Sequence, residues 1–202
     1  SQSPGAGLLS YTFNAPASEH RGIEFAADWT FSPGWRAVAA YTFDDQIYTT
    51  YTEQLSAGAF TERFDRAGNA IPGVPAHQLL ARIGYDQPTG PLAGLGAYVE
   101  AVVQDGFFID NANQLKAPGY TVVNANVHYA ADLPGGYAKR ISLYAEVRNV
   151  FDETYVSSAQ NLANSLSSTT GLQNGAGVLA TTPGSVFAGA PRNVVAGMRL
   201  SF

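Results

Sequence analysis

The sequence predicts an all-β fold: an antiparallel transmembrane β-barrel of about eight strands. Three observations lead there. Apolar and polar residues alternate with period two in segment after segment, short Pro/Gly turns alternate with long loops, and the apolar sets are long and almost free of charge. Period two sends successive side chains to opposite faces of a strand. No helical period interrupts the pattern, so parallel βαβ crossovers are ruled out and neighbouring strands are expected to be antiparallel.

An opening strand is expected around LLSYTF (8–13). RGIEFAADWTF (21–31) then sets Ile23, Phe25, Ala27, Trp29 and Phe31 against Glu24, Asp28 and Thr30. After the turn SPG comes a long strand over 35–51, with Trp35, Ala37, Ala39, Tyr41 and Phe43 opposite Arg36, Thr42 and Asp44. HQLLARIGYD (77–86) places Leu79, Ala81, Ile83 and Tyr85 opposite Gln78, Arg82 and Asp86. LGAYVEAVVQD (95–105) places Leu95, Ala97, Val99, Ala101 and Val103 opposite Glu100 and Gln104. YTVVNANVHYA (120–130) and ISLYAEVRNV (141–150) repeat the pattern, with Asn124, Asn126 and His128, then Ser142, Tyr144, Glu146 and Arg148, on their polar faces. The final strand opposes Val194, Ala196, Met198, Leu200 and Phe202 to Arg199 and Ser201.

The short connections are 32–34, 86–94 and 131–139, rich in Pro and Gly as tight turns require. The long ones are 54–74, about 110–117, and 158–188. Short turns at one end and long loops at the other is the asymmetry of outer-membrane barrels. A soluble sandwich would show the same alternation. Two features favour lipid: strands longer than the five or six residues usual in soluble sheets, and the aromatics Trp29, Phe31, Trp35, Tyr85 and Tyr129 gathered at the short-turn ends, where a membrane-interface girdle sits.

Composition excludes other classes. A formal net charge of -5 with no Lys/Arg cluster argues against nucleic acid as a partner. The absence of cysteine excludes a disulfide framework and Cys-based zinc sites. There is no apolar run of about 18 residues and hence no transmembrane helix, and the first residues lack the features of a signal peptide. No G-x-S-x-G word or paired Ser/His or Asp/His set is present, so no enzyme activity, catalytic residue or cofactor is expected. His20, His77 and His128 are isolated and read as rim or lumen residues, not metal ligands.

Specific words then narrow the class. EVRNVFDETYVSS (146–158) resembles the penultimate-strand signature of TonB-dependent outer-membrane receptors, and FAGAPRNVVAGMRLSF (187–202) resembles their C-terminal strand. RGIEFAADWTFSPGW (21–35), IPGVPAHQ (71–78) and APGYTVVNANVHY (117–129) are further matches, in the family's order. The resemblance implies that residues 1–202 are the C-terminal segment of a 22-stranded barrel domain in the bacterial outer membrane, with the plug domain and TonB box absent from the chain. It implies a non-enzymatic receptor/transporter for TonB-dependent uptake of a ferric siderophore or other scarce metal chelate. A receptor for cobalamin or an oligosaccharide, and a stand-alone small barrel or binding module, are the alternatives. The implied partners are outer-membrane lipid, TonB acting through the plug and TonB box, and the barrel-assembly machinery, which would read the terminal aromatic Phe202 as its signal.

Strand parity places Arg36, Arg82, Glu100, Glu146, Arg148 and Arg199, with Asp28 and Asp86, on the lumen wall, where the family's plug would contact them. Tyr48, Tyr51, Phe107, Phe108 and Tyr155 lie at the long-loop end; a ligand entrance and an upper interfacial girdle account for them equally well. Asp44, Asp45, Asp105 and Asp110, with Arg63 and Arg66, are either ligand contacts or solvated strand extensions. Asn149, Asp152 and Arg192 are expected to fix turns and strand mouths.

Overall fold

The computed structural model describes residues 17–161, 166–174 and 186–202. Its strands are Ala17–Ser32 (β1), Trp35–Thr50 (β2), Thr52–Ala57 (β3), Phe60–Asp65 (β4), His77–Asp86 (β5), Leu95–Gln104 (β6), Phe107–Phe108 (β7), Lys116–Ala117 (β8), Tyr120–Asp132 (β9), Arg140–Arg148 (β10), Val156–Ala159 (β11), Val186–Ala188 (β12) and Asn193–Ser201 (β13). Seven of them form one sheet in the order β1-β2-β5-β6-β9-β10-β13, with every neighbouring pair antiparallel. The sheet is open among the described residues, with β1 and β13 as its edges. The strand expected at 8–13 lies outside the described residues.

Register carries the two-faced pattern across the whole sheet. One row runs Trp29, Ala37, Ile83, Val99, Ala125, Val147, Val194, all apolar and on one face. The next row on that face is Ala27, Ala39, Ala81, Ala101 and Val123. A slip of one residue in any strand would turn its apolar set to the wrong side, so the hydrophobic pattern and register enforce one another. The turn at SPG closes β1 onto β2 with Gly34 at φ 81, in the left-handed region that a Cβ disfavours.

Among the described residues, no protein layer covers the apolar face. Phe25, Trp29, Val99, Val194 and Met198 are all at least half exposed in the chain alone, where a soluble sandwich would bury them. Aromatic rings close both margins of this face. At the short-turn end Trp29, Phe31, Trp35 and Tyr85 form a continuous row with centroids 5.1, 6.1 and 5.1 Å apart. At the other margin Tyr41 and Phe43 flank His77, whose Nδ1 lies 2.7 Å from the Tyr41 hydroxyl. From Trp35 to Phe43 is about 26 Å along the strand, comparable with an outward apolar band of about 25 Å on a tilted barrel. His77 therefore belongs to the outward margin.

Buried apolar residues gather elsewhere. Of Tyr48, Leu55, Phe107, Ile109, Ala117, Val122 and Leu166, only Val122 sits within the spanning part of the sheet. The others belong to a layer at the long-loop end, built on three two-stranded ribbons: β3-β4, β7-β8 and β11-β12. These ribbons fall inside or beside stretches whose composition reads as loop.

Candidate ligand entrance and lumen wall

The loop layer is joined by a buried polar chain. Arg66 and Glu53 are 5% and 8% exposed at their side chains; Arg66 Nε donates to Glu53 Oε2 at 2.9 Å, and Nη2 lies 2.8 Å from the same oxygen. Glu53 Oε1 accepts from Asn111 Nδ2 at 2.7 Å. Asn111 Oδ1 in turn accepts from the Tyr48 hydroxyl at 3.0 Å and from Asn161 Nδ2 at 3.2 Å. Arg66 Nη1 reaches Gln173 Oε1 at 3.4 Å. One network thus ties the β3-β4 hairpin, the loop after β7 and the segment after β11. Burial, reinforced by the Glu53 carboxylate, holds the Tyr51 phenol above its ordinary pKa, with Arg66 pulling the other way. Tyr51 accordingly stays a neutral hydrogen-bond donor at physiological pH.

This arrangement corrects several expectations. Phe107 is 4% exposed and packs with Ile109 and Ala117 in the loop core, so it does not line an entrance. Tyr48 is buried and bonded to Asn111, with its ring 4.7 Å from that of Tyr51. Asp110, 1% exposed, is neither a solvated extension nor a ligand contact: its carboxylate accepts the backbone N–H groups of Gln114 and Leu115 at 3.0 and 2.8 Å. Arg66 is consumed by Glu53 in the same way. In sequence, a buried carboxylate capping its own loop looks like any surface aspartate. Phe108, Tyr51 and Tyr155 are half-buried at the loop end. Phe108 lies under the Lys116 ammonium, 5.5 Å from the ring centroid.

Arg36, Arg82, Glu100, Glu146, Arg148 and Arg199 all lie on the polar face, opposite the apolar rows. Three of the four arginines are paired along the wall. Arg36 grips Asp28 with two guanidinium nitrogens. Arg82 binds Glu100 through Nε and Nη2 at 3.0 and 2.5 Å, and Glu100 also accepts from Asn124 at 3.1 Å. Arg148 Nε donates to Glu146 at 2.5 Å. His128 sits 2.7 Å from Asp86 and 3.0 Å from Asn126. Arg199, on the edge strand β13, has no partner among the described residues. His20 is bonded to Ser18 at 3.0 Å, and no metal-holding group of three His, Asp or Glu side chains occurs among the described residues.

Above the charged rows the polar face carries mostly hydroxyls and carboxamides, with Glu24 and Arg148 among its charged members. Two adjoining depressions of about 220 and 260 Å³ share Val102. One includes Tyr120, Tyr155, Asn124 and Asn193; the other includes Thr42, Gln78, Leu80 and Gln104. The Tyr120 and Tyr155 rings lie 4.3 Å apart.

The mouth beside the first depression is fixed by the residues of the VRNVFD word. Asn149 and Asp152 hold φ of 53° and 56°. The Asn149 carboxamide, 2% exposed, accepts Glu153 N–H at 2.8 Å and donates to the carbonyls of Glu153 and Ala190 at 2.8 and 3.1 Å. Asp152 accepts the Arg192 backbone N–H at 2.8 Å. Together they strap the exit of β10 to the entry of β13. Asn149→Ala removes all three of these hydrogen bonds at once and puts a Cβ residue without a local hydrogen bond into the left-handed region. It is expected to cost about 2 kcal/mol, measured as a lower midpoint in denaturant unfolding of the detergent-folded protein.

Residues 1–150 match the model of the family described as TonB dependent receptor-like, beta-barrel. The chain is 32% identical over 141 residues to the ferrichrome outer membrane transporter/phage receptor of Escherichia coli, covering 70% of this chain and 17% of that protein. It is 31% identical over 147 residues to the ferrioxamine B receptor of Salmonella typhimurium, covering 72% of this chain and 19% of that protein. The chain thus spans about a fifth of the length of these relatives. In fold it resembles the siderophore receptor PiuA of Acinetobacter baumannii, with a TM-score of 0.60 at 20% identity over 90% of this chain and 22% of that one. It also resembles the ferric citrate transporter FecA, with a TM-score of 0.60 at 21% identity over 90% of this chain and 23% of that one. Exposed apolar rows, paired aromatic margins, a polar opposite face and these matches agree: the chain belongs to the TonB-dependent receptor β-barrel family of the bacterial outer membrane.

Proposed function

We propose that residues 1–202 form the C-terminal strands of a larger barrel whose complete receptor takes up a ferric siderophore by a TonB-dependent route. The observation that carries this reading is the 31–32% identity to receptors named for ferrichrome and ferrioxamine B. The wall supports it physically. Arginine–carboxylate pairs on the inner face give a rigid, hydrogen-bonded lining against which a plug domain can seat and from which it can be withdrawn, since each contact to it is modest. Arg199, unpaired among the described residues, and the paired Arg36, Arg82 and Arg148 with Glu100 and Glu146 are the plug-facing groups in this reading. Tyr51, Phe108 and Tyr155 supply aromatic contact at the entrance. Phe202, 76% exposed at the end of the outward row, is the residue offered to the barrel-assembly machinery and then to lipid. No covalent step is involved.

The test is uptake of radiolabelled iron from single ferric chelates by a strain lacking the complete gene, with and without TonB. Uptake of at least one siderophore is expected to depend on both gene and TonB. Uptake of every ferric chelate unaltered by the deletion, or unaltered by loss of TonB, would sink the reading.

A further inference from the structure

Three cations have no side-chain partner among the described residues: Arg192, Arg199 and Lys139. Arg192 stands at the long-loop end and Arg199 on the polar face of β13. Lys139 differs from both, because it lies in the short turn between β9 and β10, beside the margin of the apolar face. Its backbone N–H donates to the Ser201 carbonyl at 2.6 Å, and its own carbonyl accepts from Leu133 N–H at 2.8 Å. Those two bonds fix it between Leu133, 38% exposed, and the end of β13, where Phe202 follows Ser201. Tyr137, at the tip of the same turn, is 95% exposed. The acid of this turn, Asp132, is taken by Arg140 at 3.3 Å. The turn thus combines large exposed apolar groups with one free cation.

Register sets the depth of this turn. The row through Trp35 and Tyr85, which carry the aromatic margin at the short-turn end, continues through Ala97, Val127 and Ala145 to Ala196. Phe202 lies six residues beyond Ala196 along the chain. The strand ends step in the same direction, from Trp35 on β2 through Asp86 on β5 to Asp132 on β9. In a barrel whose strands tilt by about 40°, a row crossing from β2 to β13 shifts by about 15 Å along the membrane normal, the rise of about six residues. The tilt therefore brings Leu133, Tyr137 and Phe202 level with Trp35 and Tyr85. Short turns of such barrels face the periplasm, so this level is the interface of the inner leaflet.

We propose that the β9–β10 turn binds the phosphate of an anionic phospholipid in the periplasmic leaflet. Lys139 supplies the counter-charge, and Leu133, Tyr137 and Phe202 seat among the upper acyl carbons. The apolar part continues the outward band of the sheet, so lipid already reaches it. A lysine stem lies along that band while its ammonium stays in the wet headgroup layer, and a Tyr ring is suited to the same boundary. A soluble anion would meet the ammonium but leave the three apolar groups uncovered. The site does not depend on what the receptor transports.

The experiment uses the complete receptor carrying Gly136→Cys, where a new Cβ meets nothing nearer than 3.6 Å. Any other cysteine of the complete receptor is replaced by serine, and the new one is labelled with a fluorophore in phosphatidylcholine vesicles. Acyl-brominated phosphatidylglycerol or acyl-brominated phosphatidylcholine is then mixed in at equal mole fraction. Phosphatidylglycerol is expected to quench with a relative association roughly fivefold stronger, the worth of one lysine near an anionic surface, and the preference should fall at high salt. Lys139→Gln is expected to bring the ratio to about one. Tyr137→Ser is expected to weaken quenching by both lipids, and each variant is checked for native heat-modifiable migration. Equal quenching by the two lipids in the parent, or a preference that survives Lys139→Gln, overturns the inference. So does a fluorophore that neither lipid quenches, which places the turn in water, or quenching that Tyr137→Ser leaves unaltered.

Discussion

Arg66→Ala is expected to destabilise the loop layer by about 3–5 kcal/mol, the range for removing one partner of a buried ion pair. The reason is what remains. Glu53 is left almost wholly buried with Asn111 Nδ2 as its remaining side-chain donor among the described residues, and the links from Arg66 to Gln173 and to the Phe64 ring, 4.9 Å away, go with the guanidinium. Hydrogen exchange would localise the loss, with backbone amides of 52–66 and 107–117 exposed while those of β5, β6 and β9 keep their protection. Replacing both partners by apolar residues, Glu53→Leu with Arg66→Met, is expected to recover much of the loss, because no uncompensated charge is then buried. A single variant as stable as the parent, with unaltered exchange in the hairpin, would show that the pair does not hold the layer.

Val99→Arg is the second large effect. Val99 lies near the middle of β6 on the outward face, flanked by Ile83 and Ala125 and half exposed in the chain alone. A guanidinium there meets hydrocarbon, with a cost of roughly 2–4 kcal/mol near the midplane. Asn126→Arg, on the polar face opposite Glu146 and Tyr98, should cost far less, because it enters a wall already built from arginine–carboxylate pairs. The measurement is the midpoint of urea unfolding in phospholipid vesicles. Equal penalties for the two substitutions would invert or abolish the assignment of the faces.

The sheet was legible because its information is local and periodic. Each of the seven described spanning strands announces its faces by alternation, and one turn residue such as Gly34 suffices to set the next strand's direction. Pairing then follows from chain order, since short turns force neighbours to be adjacent. The loop layer was not legible, for the opposite reason. Glu53, Arg66, Asn111 and Gln173 are spread along the chain, Arg66 and Gln173 alone lying 107 residues apart, and they meet only after three ribbons are placed. Nothing in their local sequence separates a buried polar residue from a solvated one. The polar-face placement of Arg36 and Arg82 could be read from parity, but their partners could not. Parity gives a side chain's direction, whereas the Arg82–Glu100 bond depends on the register between β5 and β6.

The segregation of buried side chains also bears on how the molecule loses its structure. The sheet has its apolar side chains turned outward and few buried ones of its own, so its stability is set by the surrounding lipid and varies with bilayer thickness. The loop layer is packed and hydrogen-bonded within itself, and its stability is set by water and denaturant. The two parts respond to different solvents. Heating or denaturant should therefore open the entrance in a separate, earlier transition, while the strands beneath it remain threaded through the membrane.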